Sequence, residues 1–229
     1  MFEREHHRRI AALLEAIDAA FLLKHRCFFG GGTAIALSCG EYRESVDIDF
    51  MCASIDGYRG LREAVREKDP GWLFQRPVQL RREPLVDQYG IRMAVAVDEV
   101  PVKVELVFEA RIAFKDPLPE DRICGVWRMA AEDLVASKLM ANADRYADDA
   151  VMSRDLIDLA MFLPDGLVPA PGVEKARRAY GGAIDKAFTR ARQGLLEREG
   201  RLQKCMKAMH MVVPEATLRT RIAALHLGA

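Results

Sequence analysis

Two aspartates one residue apart, Asp47 and Asp49 in the stretch SVDIDFMC, follow a run of three glycines and a threonine, Gly30 to Thr33. On a strand, side chains alternate between faces, so both carboxylates share one face while Val46, Ile48 and Phe50 take the other. Paired carboxylates are hard oxygen donors, suited to Mg2+, or Mn2+ in its place, together with the phosphates of a substrate. The glycines sit between an apolar segment, Cys27 to Phe29, and the helical pattern TAIALS. A strand-to-helix turn there offers free backbone N–H groups and a helix dipole to phosphate oxygens, and glycine allows close approach without a Cβ. Gly31, Gly32 and Thr33 are therefore the expected phosphate contacts. The plainer alternative is a simple turn with Thr33 as its helix cap.

A two-metal centre needs another acid on a neighbouring strand. Glu105 is the candidate, a polar residue flanked by valine and leucine in VPVKVELVFEARI, with Asp98 and Glu109 as fallbacks near the strand ends. One ion would then lower the pKa of an attacking hydroxyl and the other would offset charge on a leaving pyrophosphate. Asp47, Asp49 and Glu105 are thus the expected metal ligands, an NTP the expected substrate, and a solvent-facing strand glutamate the alternative for Glu105.

The elements that must position these groups can be read from periodicity. REHHRRIAALLEAIDAAFLLKH carries apolar residues at helical spacing and predicts one helix to about Lys24. Asp56 to Lys68 predicts an amphipathic helix, and WLFQRPVQLRRE, YGIRMAVAVD and VPVKVELVFEARI predict strands, the last two joined by a turn near Asp98 and Glu99. In the third strand Val102, Val104, Leu106 and Phe108 face one way, and Lys103, Glu105, Val107 and Glu109 the other. Beyond Pro117 and Pro119 the character changes to helices: MAAEDLVASKLMANADRYA, SRDLIDLAMFL, and more from about Val173, with LPDGLVPAPG as a connector. The expectation is an α+β fold, with a mixed sheet flanked by helices in residues 1–120 and a helical part in 121–229.

Within that helical part, Lys138 lies on an otherwise apolar face, where burial demands an anionic partner, either a structural carboxylate or a nucleotide phosphate. Arg145 follows seven residues later, two helical turns on, so both cations can face one cleft. Asp155 and Asp158 share a face of the next helix, and Arg154 with Asp158 has the spacing of a plain helix ion pair. Arg43 is read either as a local partner of Glu41 or Glu44 or as a substrate contact. His6, His7, His25, His210 and His226 have no companions that suggest a catalytic set and receive no role.

Bulk properties restrict the function classes. The 229 residues are 50% hydrophobic and 30% charged, ordinary for a globular chain able to bury a core. No apolar run approaches the roughly 18 residues of a membrane span, and the charged N-terminus lacks a signal-peptide core. Five widely spaced cysteines suggest reduced thiols, and a cytoplasmic setting is expected. The formal charge is zero, yet residues 171–229 hold 12 Lys and Arg against 5 Asp and Glu. That basic region is compatible with RNA, although the stripe Arg198, Arg201, Lys204 and Lys207 drifts around its helix and reads better as a solvated face.

GGTAIAL followed by YRESVDIDF resembles the nucleotidyltransferase-fold signature, and more narrowly the AbiEii/AbiGii-type toxin nucleotidyltransferases, with Arg43, Ser45, Asp47, Asp49 and Phe50 on the pattern. EDLVASKLMANADRYADDAVMSRDLIDLAMFL resembles a second block of the same family. The resemblance implies a nucleotidyltransferase-like mixed sheet, with Arg43 and Ser45 either binding the nucleotide or shaping the turn before the aspartates. It puts Lys138 on nucleotide phosphates, where the spacing lets Arg145 join it, and Asp155 in support of catalysis or nucleotide positioning. It further implies an RNA acceptor such as a tRNA 3′ end, a toxin–antitoxin or phage-defence setting, and a cognate antitoxin. Nucleotide transfer to a protein hydroxyl and a non-catalytic nucleotide- or antitoxin-binding module are the alternatives. Whether Gly30 and Gly31, or Gly31 and Gly32, form the structural pair is left open by the spacing.

Overall fold

The computed structural model describes residues 2–67 and 72–228. The chain divides into two compact units: Met1–Leu37 with Ser45–Ala130, and Ser38–Glu44 with Ala131–Ala229. The changeover therefore falls about ten residues past the Pro117 and Pro119 breaks, and a short segment before Ser45 belongs with the C-terminal half.

The first unit begins with α1 (Glu5–Ala16) and α2 (Ala19–Lys24), where one helix was expected. The break has a local cause. Ile17 is extended and bridges to Phe74, while the Asp18 carboxylate accepts the Phe21 N–H and starts a new helix. β1 (Cys27–Gly30) leads into α3 (Gly31–Ser38), then β2 (Asp47–Cys52) and α4 (Ile55–Glu67). The predicted end of α4, Lys68, lies outside the described residues.

Of the predicted strand across Trp72 to Glu83 only β3 (Gln79–Leu80) forms, with Phe74 in its isolated bridge; Pro77 between them lacks a ladder donor. β4 (Leu85–Val86), β5 (Gly90–Val97) and β6 (Val100–Phe108) complete the sheet. Asp98 and Glu99 form the predicted tight turn, both with positive φ, 49° and 63°. A small hairpin, β7 (Arg122–Ile123) and β8 (Val126–Trp127), follows.

The main sheet runs β1-β2-β6-β5-β3, with β4 also on β5. β2 and β6 are parallel; β1 with β2 and β5 with β6 are antiparallel. The sheet is thus mixed, as expected. One face is apolar: Ile48, Phe50, Val102, Val104, Leu106, Ile91 and Met93 are fully buried in a core shared with Ile10 and Leu14 of α1 and Leu61 of α4. The predicted inward Val46 lies before β2 and is 46% exposed.

The second unit is helical: α5 (Ala131–Arg145), α6 (Arg154–Phe162), α7 (Ala170–Tyr180), α8 (Ala183–Glu197), α9 (Arg201–Ala208) and α10 (Glu215–Ala224). α5 packs on α6, α7 and α8, and α10 on α6 and α8. Gly172 permits the α5–α7 approach, since a Cβ there would stand 2.8 Å from Val135 Cγ1. Inside the predicted connector, β9 (Leu167–Val168) pairs in parallel with β10 (His226–Leu227) and ties down the chain end.

Candidate active site

The polar face of the sheet carries the predicted acids in register. Asp49 stands opposite Glu105, and Asp47 opposite Lys103, across the parallel β2–β6 pair. Arg92 of β5 stands opposite Glu105 on its other side. Because the pairing is in phase, these five side chains share the face opposite the core, and all are partly exposed.

Gly30 and Gly31 bring the turn before α3 against this face. A Cβ on Gly30 would stand 2.6 Å from Met129 Sδ, and one on Gly31 would stand 2.9 Å from Asp49 Cβ. Gly31 also has φ +68°, so both demands of glycine fall on the pair Gly30–Gly31. Gly32 is the second residue of α3.

Thr33 is buried, and its hydroxyl donates to the Asp47 carbonyl. That hydroxyl has one proton, so at 2.8 Å Ser45 Oγ is the donor to Thr33 Oγ1. The Ser45 N–H in turn donates to Nε2 of fully buried His7, 3.1 Å away, which requires that nitrogen to be unprotonated. Thr33, Ser45 and His7 thus fix the chain entering the aspartate strand. His7 carried no signal in the sequence, since its partner is a backbone group 38 residues away.

Glu105 has a cation on each oxygen: Arg92 Nε at 3.1 Å from Oε1 and Lys103 Nζ at 2.5 Å from Oε2. Hydrogen bonding to Glu105 raises the Lys103 pKa above its ordinary value, with Asp47 and Asp49 adding to the effect. Arg92 also pairs with Asp87 at 2.7 Å. Of the fallback acids, Asp98 lies in the exposed turn and buried Glu109 is bound by Arg111. Among the described residues, no group of three or more His, Cys, Asp or Glu is gathered as a metal cage. Asp47 and Asp49 fit a hard divalent cation by donor type and shared face, and Glu105 on the same face carries an ion pair on each oxygen.

The second unit gathers the other predicted residues into a buried ion network. Lys138, 5% exposed, donates to Asp155 at 3.0 Å and Asp158 at 2.6 Å. Arg145 forks onto Asp155 at 2.7 and 2.8 Å, and Arg43 onto Asp158 at 2.7 and 3.0 Å. Tyr42 adds a hydroxyl bond to Asp158 at 2.5 Å. Of the two partners open to Lys138, the structure supplies carboxylates. Besides Asp158, Arg43 donates to the Glu44 carbonyl at 2.8 Å. Arg154 is exposed while Asp158 is fully buried, so the i,i+4 pairing gives way to this network.

Burial alone would raise both aspartate pKa values. Lys138 and Arg145 outweigh it at Asp155, as Arg43 and Lys138 do at Asp158, and hold both carboxyls below the usual range. Of the basic stripe, Arg198 and Arg201 are taken up by Asp149, and Arg201 is buried. A cavity of about 440 Å³ in this unit, bordered by Met161, Phe162 and Arg221, includes none of the predicted site residues.

Residues 12–223 match the family described as "Nucleotidyl transferase AbiEii toxin, Type IV TA system". The chain belongs to the AbiEii family. Two solved structures share its fold: a "putative nucleotidyltransferase from H. pylori", at 16% identity and TM-score 0.51, covering 95% of this chain and 92% of that one; and JHP933 from Helicobacter pylori, at 14% identity and TM-score 0.52, covering 97% and 92%. No curated protein matches the sequence. This AbiEii-family chain is accordingly a nucleotidyltransferase of a toxin family. No helix among its described residues is long and apolar enough to cross a membrane.

Proposed function

We propose that this nucleotidyltransferase moves a nucleoside monophosphate from an NTP to a hydroxyl of RNA, with a tRNA 3′ end as the acceptor. The reading rests chiefly on Asp47 and Asp49 sharing the open sheet face beside the Gly31 turn. The two carboxylates would hold Mg2+, or Mn2+ in its place, which when bound lowers the pKa of the acceptor hydroxyl and offsets phosphate charge.

The backbone around Gly31, Gly32 and Thr33 takes the triphosphate, where no side chain of residue 31 intervenes. Ser45 keeps this turn and the aspartate strand in register through Thr33. Arg145 serves the nucleotide phosphates and Asp155, which orients it, supports the reaction; Lys138, which the family resemblance puts on the phosphates, holds the carboxylates of Asp155 and Asp158 in place. Arg145, whose side chain is 35% exposed, is the most accessible cation of that group and is oriented by Asp155, while Arg43 is held on Asp158. The acceptor hydroxyl attacks the α-phosphorus and pyrophosphate leaves. Membership of a toxin–antitoxin family supports a cognate antitoxin as partner, and the basic excess of residues 171–229 supports RNA.

The test is incubation of the protein with total tRNA and each α-labelled NTP in turn, with and without Mg2+. Label is expected on tRNA, dependent on the metal and lost in Asp47→Asn and Asp49→Ala. Label on protein instead of RNA would replace the acceptor, and NTP binding without label on either would make the protein a binding module.

A further inference from the structure

Five charged side chains form a lattice on the polar sheet face: Asp49, Glu105 and Arg92 in one row, Asp47 and Lys103 in the next. The sequence pattern alone suggested three acids awaiting two ions. In the structure the third acid already has positive charge on both oxygens, from Arg92 at Oε1 and Lys103 at Oε2. A divalent ion at Glu105 would compete with both. Lys103 also stands directly opposite Asp47, so its ammonium belongs to the same acidic surface.

We infer that Lys103 is a built-in cation of this face, taking the place of a second divalent ion, and that Glu105 is its positioning residue and not a metal ligand. This rests on the reading of Asp47 and Asp49 as the metal-binding pair. The face then carries one exchangeable ion and one covalently tethered positive charge. With Asp87 offsetting Arg92, three carboxylates against Lys103 leave the face two negative charges, which a single divalent ion neutralises. A second divalent ion would bring it to two positive charges, a repulsion that grows as water is excluded.

The deciding measurement is Mn2+ binding to the full chain without nucleotide or acceptor, read from the electron paramagnetic resonance signal of free Mn2+. Wild type is expected to bind one ion per chain, and Asp49→Asn to weaken that binding about tenfold or more. Glu105→Gln, which keeps a side chain able to accept from Lys103, should leave stoichiometry at one and affinity within about threefold. Lys103→Met, which removes the charge but keeps the length, should admit a second ion or tighten the first about tenfold. Lys103→Arg should behave as wild type, and thermal melts confirm that each variant is folded. Two ions in wild type, with one lost in Glu105→Gln, would overturn the assignment while sparing Asp47 and Asp49 as ligands. An unchanged Lys103→Met would overturn it too. No Mn2+ binding by wild type would overturn both it and the metal reading beneath it.

Discussion

The side chain of Asp49 occupies the space that any substituent on residue 31 would need. A Cβ on Gly31 would stand 2.9 Å from Asp49 Cβ and 3.0 Å from its carboxyl carbon. The turn and the acid are therefore one structural feature, with backbone and carboxylate in contact because nothing projects between them.

Gly31→Ala should accordingly do more than strain the backbone. Gly40 supplies the comparison: its φ is +71°, yet a Cβ there would meet nothing within 4 Å. Gly40→Ala is expected to cost about 1–2 kcal/mol from conformation alone. Gly31→Ala should cost more in urea unfolding and also reduce transfer at least about tenfold, because Asp49 must move. Equal losses of stability with transfer intact in both would show that Asp49 yields harmlessly.

His7 holds the Ser45 N–H through Nε2. His7→Leu removes the acceptor and leaves a backbone donor unsatisfied beside the aspartate strand, a loss of about 1–3 kcal/mol. His7→Gln, whose amide oxygen reaches a similar position, should recover much of that stability. Denaturant titration of the two variants tests the assignment, and transfer rates should follow the same order.

Lys138 neutralises two buried carboxylates at once. Lys138→Met is expected to destabilise the second unit by about 3–5 kcal/mol, the usual cost of breaking a buried ion pair from one side. Arg145→Met should cost less, since that side chain is 35% exposed and Asp155 keeps Lys138. Calorimetric or urea unfolding of both variants should give this ranking.

The same network should make stability sensitive to acid. Asp155 and Asp158 are held below the ordinary range in the folded protein, by Lys138 and Arg145 and by Arg43 and Lys138 respectively, against the opposing effect of burial. In the unfolded chain they protonate near about 3.9. Their contribution is thus fully present above that value and is lost as pH falls from it through the lower folded values. The urea midpoint should be nearly level from about pH 7 to pH 5 and fall below about pH 4. In Lys138→Met that fall should be shallower.

The carboxylate face was legible because period-two alternation survives any sheet topology. It put Asp47 with Asp49, and Lys103 with Glu105, before any pairing was known. The pairing itself was not legible: that Asp47 meets Lys103 and Asp49 meets Glu105 depends on a parallel β2–β6 register joining residues 56 apart in sequence. For the same reason Arg92 was not recognised as a partner of Glu105. The split of the first helix at Ile17 was hidden by a continuous apolar pattern, which an extended residue bridging to Phe74 interrupts without changing the residue types. Lys138 announced its need for an anion, but Asp158 looked like a surface helix acid. Its burial follows from Tyr42 and Arg43, 116 and 115 residues earlier, and no local pattern encodes that meeting.

The placement of residues 38–44 with the C-terminal half has a consequence for how this protein can be taken apart. A fragment beginning at Ala131 would keep every helix from α5 onward but lose Tyr42 and Arg43, and with them two of the three side chains that hold Asp158. The helical half is thus not a portable module that recombination could graft behind another catalytic sheet by a single crossover. Whatever exchanges this half must carry the loop between α3 and β2 with it.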